Sequence, residues 1–391
     1  MSDSLYFNDE HNDLRKMVRS FIDNEINPHV EAWEDEGIFP AHKLFKQLGD
    51  LGLLGLTYPE EYGGGGMDYW YQAVFLEELG RIQCGGVPMA IGVQTDMATP
   101  ALAEFGTPEQ KEKFLKPAIS GDAVFSIAVS EEGAGSDVAS IRTSAVRDGD
   151  HYVVNGSKMW ITNGTQADYL TMLCRTTDST SSKGMSLLVV PTNTPGFSVS
   201  RKLDKLGMRS SDTAILGFDD MRVPAANRIG DEGQGFYLQM QQFQIERLSS
   251  ALTGIGSLRL VIDMTIKYCR ERSVFGKPLI ENQWVYFKLT ELIAEHEAFK
   301  QLCYHCVRKH VAGQDMTREA SVAKLKLGRL ARQITDTCVQ FHGGMGFVEE
   351  YPLARFYRDM RLFSIGGGAD EVMLEILAKY EGISPKGSRQ R

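Results

Sequence analysis

The amino-acid sequence predicts an α+β protein with an N-terminal helical domain, a middle β domain and a C-terminal four-helix bundle. Three observations support this fold class. The chain has 391 residues, 42% of them hydrophobic, and this exceeds the usual size of one hydrophobic core. Apolar residues recur at helical spacing in both terminal parts of the chain, whereas short β-branched runs fill its middle. We expect the domains to span residues 1–121, 122–230 and 231–391.

The first domain is predicted to be entirely helical. Its apolar residues recur at helical spacing in two segments, one at Leu14, Met17, Val18, Phe21 and Ile22, the other at Phe45, Leu48, Leu51 and Leu54. One loop, PEEYGGGGMDY, interrupts this pattern with four glycines, which permit backbone conformations that other residues resist.

The middle domain is predicted from strand-like segments that turn signals separate. These segments are AVFSIAVS, TSAVRDGDHYVVNG, MSLLVVPT and AILGFDDMRVP. In the second of them, Asp148-Gly149 is typical of a hairpin turn. The pattern ends near Ile229, so we expect a compact β domain.

The helical period returns after Gly235 in three apolar stripes. They run from Leu248 to Cys269, from Val285 to Phe299 and from Val322 to Cys338. Because the helices are long and the connecting loops short, we expect them to pack as an antiparallel four-helix bundle.

Charge and hydropathy narrow the range of partners. The formal net charge is −9 and no basic stripe is present, which disfavours nucleic acid and anionic membranes. No apolar run reaches the roughly 18 residues of a membrane span, and the acidic start MSDSLYFNDEHNDLRK is unlike a transit or signal peptide. We therefore expect a cytoplasmic protein, or one of the mitochondrial matrix if a transit peptide is missing from this sequence.

Six cysteines are scattered through apolar surroundings, at Cys84, Cys174, Cys269, Cys303, Cys306 and Cys338. This arrangement favours reduced, buried thiols over a disulfide framework. His305 and His310 lie near two of these cysteines, but no second ligand pair follows at zinc spacing, so we expect no metal site.

Two segments of the middle domain contain candidate ligand-binding residues. SEEGAGSD follows a predicted strand, and its small residues let backbone N–H groups and the hydroxyls of Ser130 and Ser136 approach a flat or phosphorylated ligand. KMWITNG places the ring of Trp160 and the hydroxyl of Thr162 at the end of the next hairpin. Taken alone, the first segment fits an ordinary loop equally well, and a lone tryptophan at such a position is usually a core residue.

A third group of candidates lies in the bundle. The segment RSVFGKPL begins at Arg272, whose guanidinium offers a fork for a pyrophosphate. The segment QFHGGMGF begins at Gln340 and contains Gly343 and Gly344, which we expect to relieve crowding.

In this order and domain arrangement, the segments resemble the acyl-CoA dehydrogenase family across nearly the whole chain. The resemblance implies an FAD-dependent enzyme of fatty acid metabolism that forms the α,β-double bond of an acyl-CoA thioester and passes electrons to an electron-transfer flavoprotein. It also implies a homodimer or homotetramer, because family counterparts of Arg272 and Gln340 reach the FAD pyrophosphate from a neighbouring subunit. The implied FAD-binding residues are Ala128, Val129, Ser130, Ser136, Trp160, Thr162, Arg272, Gln283, Gln340, Gly343, Gly344 and Glu371.

The catalytic base is where this sequence departs from many members of the family. In FSIGGGADEVML, Gly367 stands where many members have glutamate, and glycine cannot abstract a proton. A subgroup that includes isovaleryl- and long-chain-type dehydrogenases has its base on a bundle helix, where the match is Glu246 in QIERL. The alternative is a solvated first-turn carboxylate that the helix dipole favours. The implied substrate-binding residues are Ser136, Gln244, Arg247, Gly367 and Gly368.

The implied chemistry requires few polar groups. A carboxylate removes the proton α to the thioester while the β-hydrogen leaves as hydride to the flavin. The thioester carbonyl must accept hydrogen bonds as enolate charge develops, and water must be excluded. In the family a backbone N–H, matched here by that of Gly367, and a ribityl hydroxyl of the flavin supply them. Asp370 is predicted to cap the following helix.

Three alternatives remain open. An acyl-CoA oxidase or a flavin monooxygenase of the same fold would differ in oxygen reactivity, and a catalytically silent flavoprotein that binds nucleic acid would also lack the loop glutamate. For the acyl group we expect a branched or long chain, because Gly366 and Gly367 replace an aromatic residue and a glutamate. The alternative is that side chains from elsewhere, such as Met208 or Phe243, fill the opening left by these glycines, in which case we expect no such preference.

Overall fold

The N-terminal part of the chain is helical in the computed structural model, which describes residues 5–177 and 181–385. The first helix begins after Asn8, whose side-chain oxygen accepts a hydrogen bond from the His11 N–H at 3.0 Å. The helices are α1 (Asp9–Phe21), α2 (Val30–Glu36), α3 (Ala41–Asp50), α4 (Tyr69–Leu79), α5 (Gly86–Gly92), α6 (Pro100–Phe105), α7 (Pro108–Gln110) and α8 (Lys116–Ile119).

In the described part of the chain, the middle domain contains one eight-stranded sheet. Its strand order is β6-β7-β3-β2-β4-β5-β8, and β1 pairs with β4 in parallel. The predicted hairpin turn between β2 and β3 is confirmed, since Asp148 pairs with His151 and Gly149 has a φ of +61°. The strands are β1 (Phe125–Ala128), β2 (Ser144–Asp148), β3 (His151–Thr162), β4 (Tyr169–Arg175), β5 (Met185–Pro191), β6 (Phe197–Lys202), β7 (Thr213–Pro224) and β8 (Arg228–Ile229).

The C-terminal domain is a helical bundle, as predicted, but its helices are unequal. Three are long and span 37, 29 and 26 residues, whereas α13 has 11 residues and packs against α11 as the fourth. The elements are α9 (Gly235–Glu271), a small hairpin of β9 (Ser273–Val274) and β10 (Lys277–Pro278), α10 (Gln283–Val311), α11 (Thr317–His342), α12 (Pro352–Asp359) and α13 (Asp370–Tyr380).

The first domain and the bundle share one hydrophobic core, and glycines allow the close contact between them. A Cβ atom at Gly256 of α9 would lie 2.0 Å from the Glu77 carbonyl oxygen, and one at Gly80 would lie 2.1 Å from that of Thr253. Helices α4 and α9 therefore touch through their backbones. This contact fixes α9, the helix on which the candidate base lies, against the first domain.

The cysteines and the membrane expectation can be compared with the structure. All six cysteines are buried and unpaired, as expected. In the two described ranges, no helix combines the length and the apolar character that crossing a membrane requires. These residues also contain no cluster of three or more His, Cys, Asp or Glu side chains that could hold a metal ion.

Candidate active site

Glu246 lies on α9 well past its first turn, and its side chain is buried rather than solvated. The alternative of a first-turn surface carboxylate is therefore wrong. Burial raises the pKa of Glu246 to about 7, and the positive charges of Arg247 and Lys324 oppose this rise. A carboxyl group with a pKa near neutrality can take up and release protons under physiological conditions, as a general base must.

The glycine loop that follows α12 lies directly against this carboxyl group. A Cβ atom at Gly367 would lie 3.3 Å from the Glu246 Oε1 atom, and Gly367 has a φ of +62°. A side chain at residue 367 would thus be strained and would crowd Glu246. The family resemblance offered two alternative positions for the base, residue 246 on the helix and residue 367 in the loop. The structure places these two positions next to each other.

The backbone of the loop is left with an available donor. Gly367 is exposed, and among residues 5–177 and 181–385 no hydrogen bond to its N–H is present. An unpaired N–H beside a buried carboxyl group is the arrangement that proton abstraction next to a carbonyl requires, since the N–H can stabilise the developing oxyanion.

Lys324 of α11 completes this site, and the sequence analysis missed it. Its side chain is buried, and its Nζ donates hydrogen bonds to the carbonyl oxygens of Phe363 at 2.6 Å and Gly368 at 3.0 Å. Burial lowers the pKa of Lys324 to about 8. A signal was present in the sequence, because Lys324 stands at helical spacing between the apolar residues Ala320 and Leu327.

The other predicted substrate-binding residues on α9 are placed differently. Arg247 is buried beside the loop, where its Nε atom lies 3.9 Å from a Cβ position at Gly368 and has no hydrogen-bond partner in the described residues. Among residues 5–177 and 181–385, the hydrogen bond found for its guanidinium is a long one, 3.5 Å, to the hydroxyl of Ser321. Gln244 is half-buried two residues before Glu246. Arg247 therefore has a hydrogen-bond donor, its Nε–H group, that is unpaired in the described residues and lies beside the loop.

A small cavity opens one helical turn from Glu246. Its volume is about 40 Å³, and it runs along α9 past Ser250 and Thr253. Met208, one of the two side chains expected to fill the space beside the glycine loop, lines this cavity, whereas Gly366, Gly367 and Gly368 do not. Phe243 instead packs against a separate core cluster under the β domain.

The two predicted flavin-facing segments of the middle domain form one surface. The Met159 N–H donates to the Ser130 carbonyl oxygen at 2.9 Å, and a ring carbon of Trp160 lies 3.9 Å from a Cβ position at Gly135. Trp160 is half exposed and has a φ of +61°, at an irregularity in the pairing of β3 with β7. It is therefore not the core residue that a lone tryptophan suggests.

The remaining residues of this surface differ in exposure. Ala128 and Val129 are buried at the end of β1, and Thr162 is half-buried at the end of β3. Ser130 is half-buried, whereas Ser136 is exposed on the loop between the two segments. The exposed hydroxyl and aromatic ring are thus the groups on this surface that a ligand can reach.

A buried ion pair holds the loop of this surface. Lys158 donates to the Val129 carbonyl oxygen at 2.8 Å and to the Glu131 carboxylate at 3.0 Å. The same carboxylate accepts hydrogen bonds from the backbone N–H groups of Arg142 and Thr143. The loop that carries Ser130 and Ser136 is therefore fixed from beneath.

The third predicted group lies at the far end of the bundle. Its members, all exposed, are Arg272, Gln283, Gln340, Gly343 and Gly344. Arg272 follows the last residue of α9, and the rise of an α-helix puts it ~39 Å from Glu246 along the axis. The structure does not bring this group to Glu246 within one chain.

The predicted cap of α13 is wrong, and the two glycines that follow α11 are uncrowded within this chain. A Cβ atom at Gly343 or Gly344 would meet nothing within 4 Å, so these glycines do not relieve crowding inside this chain. Asp370 does not cap α13, because it is the first residue of that helix and its carboxylate pairs with Arg332 at 2.9 Å. Glu371, which follows it, is exposed.

Comparison with known proteins covers all three domains. The family descriptions that match are the N-terminal, middle and C-terminal domains of acyl-CoA dehydrogenase, at residues 8–122, 126–221 and 233–381. The chain is 37% identical over 379 residues to the mitochondrial isovaleryl-CoA dehydrogenase of Solanum tuberosum, covering 97% of this chain and 92% of that protein.

Two further proteins extend the comparison. The mitochondrial short-chain specific acyl-CoA dehydrogenase of Mus musculus is 34% identical over 377 residues, covering 96% of this chain and 91% of that protein. The crystal structure of an acyl-CoA dehydrogenase from Geobacillus kaustophilus superposes with a TM-score of 0.93 at 39% identity, covering 96% of this chain and 99% of that chain.

We expect the Glu246→Gln substitution to stabilise the ligand-free protein increasingly as the pH rises from 4.5 to about 7. Between its ordinary pKa of 4.5 and the folded-state pKa of about 7, the folded chain holds a proton at Glu246 that the unfolded chain has lost. The wild-type protein therefore loses stability relative to the variant as the pH rises through this range. The difference should reach about 3 kcal/mol above pH 7.

Urea unfolding of both proteins between about pH 4 and pH 8 measures this difference. Glu295→Gln, a substitution of an exposed glutamate on α10, is the matched control and should show no such trend. A stability difference that does not change with pH would contradict the raised pKa.

Proposed function

Since this chain belongs to the acyl-CoA dehydrogenase family, we propose that it oxidises the Cα–Cβ bond of an acyl-CoA thioester with Glu246 as the base. The observation that carries this proposal is the position of the buried Glu246 carboxyl group, which lies directly beside Gly367, where a side chain is absent.

The proposed reaction is a proton abstraction coupled to loss of hydride. The Glu246 carboxylate takes the proton from Cα, and the electron pair of that C–H bond forms the Cα–Cβ double bond as the β-hydrogen leaves with its own pair. Negative charge develops on the thioester oxygen, which the N–H of Gly367 stabilises. FAD, when bound, accepts the hydride.

The residues of the β domain fit a flat, partly apolar cofactor. Trp160 presents its ring on the surface next to Gly135, and the hydroxyl of Ser136 is exposed beside it. We assign the flavin end of FAD to this surface, with Ala128, Val129, Ser130 and Thr162 at its edge. A backbone that carries no side chain at Gly135 can approach such a ring closely.

A complete FAD site requires a second subunit in this proposal. Arg272, Gln283 and Gln340 suit a pyrophosphate and its sugars, but they lie at the opposite end of the bundle from Glu246. Because Arg272 is ~39 Å from Glu246 along α9, we assign it to the FAD of a neighbouring copy, in a homodimer or homotetramer. Gly343, Gly344 and Glu371 are proposed to contact the adenosine half.

An electron-transfer flavoprotein is the proposed acceptor of the two electrons. This assignment rests on the family to which the chain belongs, and it separates a dehydrogenase from an oxidase. Stoichiometric release of hydrogen peroxide during turnover would indicate an oxidase instead.

We expect Glu246→Gln to retain FAD and acyl-CoA binding but to lose reduction of the flavin by substrate. The amide nearly preserves the shape of the side chain and removes the base, so the rate constant should fall by at least about 10²- to 10⁴-fold. Stopped-flow absorbance of the flavin measures it, with Glu295→Gln as the control. Rapid bleaching of Glu246→Gln by acyl-CoA would reject Glu246 as the base.

Arg272→Ala should weaken FAD retention and loosen the oligomer, because the lost guanidinium is proposed to bind the pyrophosphate of a neighbouring subunit. The control is Arg270→Ala, which removes an exposed arginine from the last turn of the same helix. Flavin content after gel filtration and the mass of the eluted species measure both effects. Equal flavin content in the two variants would argue against the assignment.

The preferred substrate should have a branched or long acyl chain. Gly366 and Gly367 leave room beside the reacting carbons, and the cavity along α9 continues past Thr253, although Met208 occupies part of it. One methyl group changes discrimination by only about 1–3 kcal/mol, so the preference should be graded. Specificity constants for a methyl-branched, a long straight and a butyryl thioester decide it, and a clear butyryl preference would overturn the steric argument.

A further inference from the structure

One face of α11 holds the whole glycine loop at three successive turns. Lys324 donates to the carbonyl oxygens of Phe363 and Gly368. One turn on, a Cβ atom at Gly328 would lie 2.7 Å from the Ser364 hydroxyl and 2.7 Å from the Asp370 carboxylate, so the absence of a side chain lets the loop approach. Arg332, one turn further, pairs with Asp370. Residues four apart share a helix face, so these contacts form one continuous seam.

We propose that Lys324 is a positioning residue for the reaction, which both fixes the loop that carries the Gly367 N–H and favours the ionised form of Glu246. This inference rests on the proposed function, because it assigns Lys324 a role in the same proton abstraction. Lys324 itself contacts the protein backbone, and it acts through the loop and through its charge.

The first role follows from the two hydrogen bonds. They join the carbonyl oxygens of Phe363 and Gly368, which stand on either side of the free Gly367 N–H. Between them Gly366 and Gly367 have no side chains to pack, and glycine backbones lose the most conformational freedom on becoming ordered. A buried ammonium that binds both ends therefore limits where the N–H of Gly367 can point.

The second role follows from the distance between the two charges. The Lys324 Cε atom lies 3.6 Å and the Glu246 Oε1 atom 3.3 Å from the same Cβ position at Gly367, so these atoms are within about 7 Å of each other. The other charged groups that act on this pair are Arg247 of α9, which also favours the Glu246 carboxylate, and Asp370 of α13, which favours the Lys324 ammonium. Loss of Lys324 would leave the carboxylate with one cation.

The test compares Lys324→Met, which removes the charge and both hydrogen bonds, with Lys324→Arg, which retains a charge. The matched control is Lys326→Met on the same helix, since Lys326 is exposed and pairs only loosely with Glu295, at 3.4 Å. Flavin reduction by acyl-CoA is followed against pH in the FAD-loaded enzymes. Hydrogen exchange of the amides from residue 364 to residue 369 is followed in the same samples without substrate.

Lys324→Met should move the rising limb of the reduction rate to higher pH by about one to two units, as expected for a unit charge at this distance in an effective dielectric of about 20. The rate at pH 7 should fall by about 10-fold or more, while the apparent dissociation constant of acyl-CoA changes little. Exchange of the loop amides should accelerate. In Lys324→Arg the rate of flavin reduction should rise at the same pH as in the wild-type protein. Lys326→Met should match the wild-type protein in every measurement.

An unshifted limb together with unchanged loop exchange in Lys324→Met would overturn the proposal. Should Lys324→Met fail to fold, Lys324→Gln decides, because it removes the charge and shortens the donor, and an unshifted limb together with unchanged loop exchange in this variant would overturn the proposal. A wild-type enzyme that no acyl-CoA reduces would refute the proposed function instead. In that case, loop exchange and the pH-dependent stability difference of Glu246→Gln, compared between wild-type and Lys324→Met backgrounds, still test both roles of Lys324.

Discussion

The glycine loop passes so close to α9 that a Cβ atom at residue 367 would lie 3.3 Å from the Glu246 Oε1 atom, and this close approach links the main features of the site. Glu246 meets the loop from the helix and is buried there. The loop can pass beside it because residue 367 lacks a side chain and takes a φ of +62°. A glutamate at residue 367 and one at residue 246 would compete for the same volume. The missing loop glutamate and the helix glutamate are therefore two aspects of one arrangement.

Burying this carboxyl group has an energetic cost that the surrounding structure must offset. Desolvation favours its neutral form, and the cations Arg247 and Lys324 oppose that effect. Precise placement is also required, and α9 obtains it from its contact with α4, where Gly80 and Gly256 bring the two backbones together. The first domain thus stabilises the base indirectly, by fixing the helix that carries it.

Much of the fold was predictable from the sequence, because periodicity and turn residues act locally. The helical ends, the β domain and the hairpin turn at Gly149 were all predicted and are confirmed. Contacts between distant segments were not predictable in the same way. The partners of Lys324 are backbone carbonyl groups, which leave no side-chain signature in a sequence. Likewise, aspartate is a residue type that commonly caps helices, but the carboxylate of Asp370 forms an ion pair with Arg332 of α11 instead.

The two loops proposed to face ligand, one in the β domain and the other before α13, are held in place in the same way. Each loop is rich in small residues, whose backbone can approach a ligand closely but offers few side-chain contacts to hold the loop in place. In each case a buried lysine fixes the loop through hydrogen bonds. Lys158 donates to the Val129 carbonyl oxygen and to the Glu131 carboxylate beneath one loop. Lys324 donates to two carbonyl oxygens beneath the other. The difference between them is the counter-charge. Lys158 is paired with a carboxylate that it contacts directly, whereas the hydrogen bonds of Lys324 among the described residues go to carbonyl oxygens, and the carboxylates of Asp370 and Glu246 act on its charge from further away.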